Sequence, residues 1–132
     1  DPARADAHLA DVDPAALPRP QRAMLALTRA SAALAAGRQA DALDRAAEAD
    51  DARPGMPAAD LARAAAFVQA GRWADAVPPA RRYVERLGPD PRASLALGLG
   101  LLETGRPADA YEVLAAAAAE FPDDPELLAA MK

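Results

Sequence analysis

Residues 105–110 read Gly-Arg-Pro-Ala-Asp-Ala, and this pattern of Gly-Arg, one variable residue and Ala-Asp-Ala occurs twice more in the chain. The three glycines are Gly37, Gly71 and Gly105, so the pattern recurs every 34 residues. A fixed period of about 20–50 residues is typical of stacked structural units, none of which buries its apolar face alone. The spacing therefore predicts an array of repeats.

Each repeat is predicted to contain two helices. In the third copy the pattern predicts a first helix over 92–104, a turn at 105–107 and a second helix over 108–120. Glycine suits the turn because it adopts the left-handed conformation that ends a helix. Asp41, Asp75 and Asp109 should then lie in the first turn of the second helices, and Arg38, Arg72 and Arg106 near the ends of the first helices. Abundant alanine and only 4% aromatic residues favour helices over strands, so we expect an all-α fold.

The register of the glycines divides the chain into three copies at 23–56, 57–90 and 91–124. Residues 1–22 are expected to be the remnant of a preceding repeat, or a capping helix, followed by a proline-rich connector. Residues 125–132 begin like a fourth first helix and are expected to start that repeat or to cap the array. The chain begins at Asp1 without a signal-peptide pattern, so we expect a part of a longer protein, cytoplasmic or periplasmic.

Small residues recur at matching positions of the three copies, where they allow two helices to approach closely. In these positions and in its period the chain resembles the tetratricopeptide repeat family, a 34-residue helix-turn-helix unit, over residues 23–124. The resemblance implies a right-handed α-solenoid whose first helices line a concave, protein-binding face. The residues that carry it are Ala30, Ala64 and Gly98; Ala42, Ala76 and Ala110; Ala49, Tyr83 and Ala117; and the closing prolines Pro54 and Pro122.

Two departures from the family pattern are informative. Arg29 and Arg63 stand where the family usually has leucine, as Leu97 does in the third copy. We expect their aliphatic stems to be packed and their charged heads to reach carboxylates such as Asp60 or Asp44. The pair Pro78-Pro79 is expected to delay or kink the second helix of the second copy.

The first helices are predicted to present an apolar groove to a partner. Lys and Asn side chains, which form a carboxylate clamp for acidic tails in some members of the family, are absent from these positions, so an acidic tail peptide is not the expected ligand. An amphipathic segment with spaced apolar anchors fits the pattern better. The predicted groove residues are Leu27, Ser31, Leu34, Leu61, Ala65, Val68, Leu95, Leu99 and Leu102, and the predicted rim residues are Met24, Gln69, Arg92 and Glu103.

Composition excludes several other functions. The net charge of −5 disfavours nucleic acid and anionic membrane surfaces as partners. No apolar stretch approaches the roughly 20 residues of a membrane-spanning helix, so direct insertion is not expected. Asp6, His8 and Asp11 resemble a metal cluster only by proximity, no catalytic constellation accompanies the acidic pairs, and no cofactor or enzymatic activity is predicted. The single lysine beside many arginines is typical of a GC-rich bacterial genome.

Two functions remain open at this point. The first is an interaction module, a scaffold or adaptor, that binds an apolar segment of another protein or peptide in the groove. The second is a structural segment of a longer repeat protein, or one that self-associates as a homo-oligomer, in which leucine at helical spacing is ordinary packing. The sequence does not separate them.

Overall fold

A computed structural model describes residues 17–131 and shows helices joined by short turns, with no strand in this part of the chain. The all-α repeat architecture expected from the sequence is confirmed. The helices, numbered here in chain order, are α1 (Arg19–Ala35), α2 (Gln39–Ala52), α3 (Pro57–Gln69), α4 (Trp73–Leu87), α5 (Pro91–Glu103), α6 (Pro107–Glu120) and α7 (Pro125–Ala130).

The three repeated turns share one backbone conformation. Gly37, Gly71 and Gly105 have φ values of 76°, 73° and 77°, the left-handed region predicted for them. At the third turn the N–H of Gly105 donates to the carbonyl of Leu102 at 3.1 Å, and the N–H of Arg106 donates to that of Leu101 at 2.8 Å. The same pair of hydrogen bonds recurs at the other two turns, so each first helix ends in a Schellman motif.

The arginine after each glycine lies elsewhere than predicted. Arg72 and Arg106, like Arg38, occupy the N-cap position of the second helix and not the end of the first. The first helix ends two residues before the glycine, at Gln69 and Glu103 in these two copies, so the arginine belongs to the next element. From there Arg72 Nε contacts the Asp75 carboxylate at 2.8 Å, and Arg106 Nη2 contacts Asp109 at 2.5 Å. The three aspartates do lie in the first turn, as predicted.

Pro78-Pro79 does not delay the helix, so that part of the prediction is wrong, while the expected kink stays a prediction. α4 begins at Trp73, at the position equivalent to the starts of α2 and α6, and continues through both prolines to Leu87. Proline has no N–H to donate, so the carbonyls of Ala74 and Asp75 lose their usual helical partners. The turn at Gly71 and the burial of Ala76 and Pro79 fix the start of the helix in spite of this.

The helices stack in one continuous array. Each helix packs against the next in the chain, and the first helices α1, α3 and α5 also contact one another in sequence, with α7 next to α5. Within residues 17–131 the second helices α2, α4 and α6 do not contact one another. The first helices therefore form the tighter inner row of the solenoid and the second helices its outer row.

The shared small residues account for this close packing. Ala30, Ala42, Ala76 and Ala110 are fully buried, and Ala64 is almost so. At the position equivalent to Ala30 and Ala64, a Cβ added to Gly98 would lie only 2.6 Å from Leu114 Cγ. Since real Cβ atoms do not approach so closely, the third hairpin requires glycine where the others accept alanine.

The two ends of the helical array differ from each other. α1 begins at Arg19, four residues before the predicted start of the first copy, so the last part of the predicted connector is helical. The rest of the predicted N-terminal flank, residues 1–16, lies outside the described part. At the other end Leu127 of α7 is fully buried in one cluster with Leu114 and Ala117, so α7 covers the last hairpin.

The arginines at the leucine position take part in packing, as expected. Arg29 is only 5% exposed. Arg63 forms ion pairs with Asp50 of α2 and with Asp60, the latter at 3.3 Å. Asp60 is itself buried and accepts hydrogen bonds from Arg82 of α4 at 2.8 and 3.1 Å, and these hydrogen bonds raise the pKa of Arg82. We call Asp50, Asp60, Arg63 and Arg82 the ionic cluster.

Candidate functional site

The nine predicted groove residues lie on the first helices, but the structure divides them into two groups. Leu34 is a buried core residue, 9% exposed. Four more pack against core clusters from partly buried positions and so help to hold neighbouring helices together. These four are Leu27, Ala65, Val68 and Leu95.

The second group does not pack against the core clusters. Leu61 and Leu99 are half-buried and belong to none of the core clusters found in the described chain. Ser31 is exposed, and Leu102 is 42% exposed. Leu61 on α3 and Leu99 and Leu102 on α5 are apolar, whereas Ser31 presents a hydroxyl group on α1, so this surface is apolar on two of the three first helices.

A cleft of about 130 Å³ opens on this surface between α1 and α3. Five of its seven lining residues are aliphatic, Ser31 adds a hydroxyl group and Arg92 of α5 adds a cation. A cleft of this size accommodates a single aliphatic side chain rather than a drug-sized ligand, since small-molecule pockets measure roughly 300–1,000 Å³. The lining residues are Leu27, Ser31, Leu34, Ala58, Leu61, Ala62 and Arg92.

The four predicted rim residues have different environments. Arg92 lines the cleft, is exposed and forms no ion pair with any described residue. Met24 is 63% exposed on α1. The Gln69 amide donates to the carbonyl of Leu34 at 2.9 Å and so joins α3 to α1. Glu103 instead lines a separate cleft beside Arg72 and Trp73.

The structure offers no grouping of side chains for metal chemistry in the part it describes. No three His, Cys, Asp or Glu residues among residues 17–131 are placed to hold a metal ion. The Asp6, His8 and Asp11 grouping considered from the sequence lies outside this range. Across the same range, no helix combines the length and apolar character needed to cross a membrane.

One cleft was not anticipated from the sequence. The loop between α2 and α3 and the last turn of α4 enclose about 280 Å³, with Arg53 and Arg86 in its lining. The two arginines are 33 residues apart in the chain, and the repeat pattern does not mark either of them. Nothing in the local sequence could have paired them.

Comparison with protein families agrees with the repeat geometry. A family model described as "Tetratricopeptide repeat" matches residues 91–131, which contain α5, α6 and α7. Comparison with curated proteins gives no match. Proteins of this family are typically modules for protein–protein interaction and not catalysts. The match places a tetratricopeptide repeat at residues 91–131, and the helix pairs at residues 19–52 and 57–87 repeat its geometry.

Proposed function

We propose that the inner row of this solenoid binds an apolar or amphipathic segment of another protein, as a scaffold or adaptor does. The cleft beside Leu61 is the observation that carries the proposal, because it is an aliphatic recess that no described side chain fills. Leu99 and Leu102 extend the apolar surface along the same row. A bound helix with anchors at i, i+3 or i+4 and i+7 would place one side chain in the cleft and others along this row.

Leu95 is one of the predicted groove residues, and Leu95→Glu is one possible test of the groove. Leu95, however, packs against the cluster of Leu114 and Leu127, so a charge there would also disturb folding. Leu61→Glu is the sharper variant because Leu61 lines the cleft without belonging to a core cluster. Leu87→Glu is the matched control, since Leu87 is 59% exposed on α4, in the outer row.

The experiment is selection of peptides from a displayed library on the wild-type chain, followed by affinity measurement of one selected peptide on the variants. We expect selected peptides with aliphatic residues at helical spacing. Leu61→Glu should weaken binding about tenfold or more, since a buried leucine anchor is worth about 1.5–3 kcal/mol, and Leu87→Glu should not. Equal affinity for wild type and folded Leu61→Glu would contradict the proposal. A pull-down from the source organism with the same variants then identifies the partner.

A structural or self-associating segment is the second candidate function. Its support is the packing of five predicted groove residues into the core, including Leu34 and Leu95, which serves the hairpins and not a ligand. If this function is correct, light scattering should show a concentration-dependent oligomer that Leu61→Glu or Leu102→Glu converts to a monomer. A monomer at all concentrations would rule out self-association.

We also propose that the chain has no catalytic activity of its own and no nucleic-acid partner. Binding to phosphate backbones requires unneutralised cations along a surface, whereas the net charge is −5 and several arginines are paired with carboxylates. Retention on a nucleic-acid column at physiological salt would contradict the second statement.

A further inference from the structure

The cleft at the loop between α2 and α3 differs chemically from the groove of the inner row. Its lining consists of Arg53, Pro54, Gly55, Met56, Pro57 and Arg86. Apart from Met56 its side chains are prolines and arginines, so the recess is shaped by stiff loop residues and carries positive charge. Its volume of about 280 Å³ is twice that of the groove cleft.

Both guanidinium groups of this cleft lack a carboxylate partner. Arg86 Nη1 donates to the carbonyl of Gly55, which anchors the side chain of α4 against the loop while its other N–H groups stay available. Arg53 is exposed. No ion pair among residues 17–131 involves either arginine.

Several other arginines of the described chain are neutralised. Arg45, Arg63, Arg72, Arg82 and Arg106 all pair with carboxylates. The equivalent loops at 87–91 and 121–125 contain Asp90 and Asp124, whereas residues 53–57 contain no acidic residue. Two positive charges therefore share one recess on a chain whose net charge is −5.

We propose that this cleft binds a phosphate monoester. Guanidinium groups form paired hydrogen bonds with phosphate oxygens, and these charge-assisted bonds are about twice as strong as neutral ones. A phosphate monoester carries close to two negative charges at neutral pH and so neutralises both arginines, whereas a carboxylate neutralises only one. The proposal concerns a different surface from the groove and does not depend on it.

The test is a titration of the full chain, labelled with ¹⁵N, with methyl phosphate at constant ionic strength. We expect saturable shifts of the amide signals of Gly55 and Met56. Arg53→Gln should weaken binding about tenfold or more, the loss expected for charge-assisted hydrogen bonds. Arg53 makes no side-chain hydrogen bond in the described chain, so this variant should fold normally, and Arg86→Gln provides the second measurement.

Arg92→Gln is the matched control because it removes another exposed, unpaired arginine at a different place. Absence of saturable shifts, an unchanged affinity in Arg53→Gln, or acetate binding as tightly as methyl phosphate would each overturn the proposal. A phosphoserine tripeptide distinguishes the sources of the group. Tighter binding than methyl phosphate assigns the site to a phosphorylated protein, and equal binding assigns it to phosphate esters in general.

Discussion

The second and third hairpins solve the same packing problem with opposite chemistry. Asp60 and Arg63 on α3 occupy the positions that Ser94 and Leu97 occupy on α5, because each pair is separated by one repeat. In the second hairpin these positions form the ionic cluster with Asp50 and Arg82. In the third, Leu97 is 3% exposed in an apolar cluster with Leu101, and the Ser94 hydroxyl accepts a hydrogen bond from the N–H of Asp90 at 3.2 Å.

The difference shows that the repeat specifies where helices meet and leaves open how they are held. Removing charges from water costs free energy that an ion pair regains only with good geometry, so a buried pair adds little net stability compared with apolar residues. Breaking such a pair, in contrast, leaves an uncompensated charge. We therefore expect the third hairpin to depend on leucine volume and the second on the completeness of its ionic cluster.

The largest loss of stability should come from a substitution in the apolar core of the third hairpin. Leu114→Ala removes a side chain that is 1% exposed and that contacts the backbone position of Gly98, so it should lower the free energy of unfolding by about 3 kcal/mol. Denaturation in urea measures this loss. Leu87→Ala, at an exposed position of α4, should change it by less than about 0.5 kcal/mol. Similar losses for the two variants would show that the third hairpin is not held by leucine packing.

The second-largest loss of stability should come from breaking the ionic cluster. Asp60→Asn leaves Arg82 and Arg63 without their shared carboxylate and should cost about 2 kcal/mol, less than for a fully buried pair because Arg82 is half exposed. Asp75→Asn, in an exposed pair with Arg72, is the control. A loss no larger than that of the control would contradict the role given to Asp60.

The pH dependence of this loss follows from Arg82. Its pKa is raised in the folded chain, chiefly by hydrogen bonds to Asp60, so the stabilisation is complete below the unfolded pKa and disappears only as pH rises through the folded value. Even an unperturbed arginine stays protonated at neutral and moderately alkaline pH. The difference between wild type and Asp60→Asn should therefore be the same at pH 7 and pH 10. A difference that falls between these two values would mean that another group supplies it.

A smaller effect is expected when the second hairpin is given the residues of the third. The double variant Asp60→Ser, Arg63→Leu removes one carboxylate and one guanidinium together, so no charge is left buried. Its stability should lie within about 1 kcal/mol of wild type or above it, and should depend less on salt. Thermal unfolding at two salt concentrations provides the measurement. A loss larger than that of Asp60→Asn alone would show that the cluster stabilises the fold beyond satisfying its own charges.

The smallest effect should come from the exposed pairs at the turns. Arg106→Gln breaks the contact with Asp109, in which both side chains are about half exposed, and should cost less than about 0.5 kcal/mol. Gly105→Ala at the same turn forces a residue with a Cβ into the left-handed region and should cost about 1 kcal/mol. Comparison of the two variants by urea denaturation separates the charge pair from the backbone. If Arg106→Gln proved the more damaging, the turn would depend on the ion pair.

The repeat pattern predicted those features that recur in every copy. The glycine turns, the aspartates that follow them and the buried small residues such as Ala42 and Ala110 depend on neighbours in sequence or on strict equivalence. The ionic cluster could be predicted only in part, because its charges at Asp50 and Arg82 do not recur in the other copies. The positions equivalent to Asp50, for example, hold Val84 and Ala118. Their meeting depends on the relative rotation of three helices.

The groove was harder to predict for a related reason. Leucine at helical spacing is compatible with core packing and with exposure, and the two differ only through what the neighbouring hairpin supplies. Leu95 is partly covered because α6 and α7 lie beside it, whereas Leu61 borders a recess. The repeat pattern gives even less indication that Arg53 and Arg86 share a cleft, since the contact joins a loop to the end of a helix in the next hairpin.

The composition of the core has a mechanical consequence. In the described chain, sixteen alanines and five leucines make up its buried apolar residues. Alanine has no side-chain torsion to rearrange, so a hairpin interface made of methyl groups cannot absorb a displacement by changing rotamers. The remaining freedom is rigid rotation of one hairpin against the next. We therefore expect the array to respond to mechanical force or to a bulky partner by changing its curvature, while the shape of each hairpin stays unchanged.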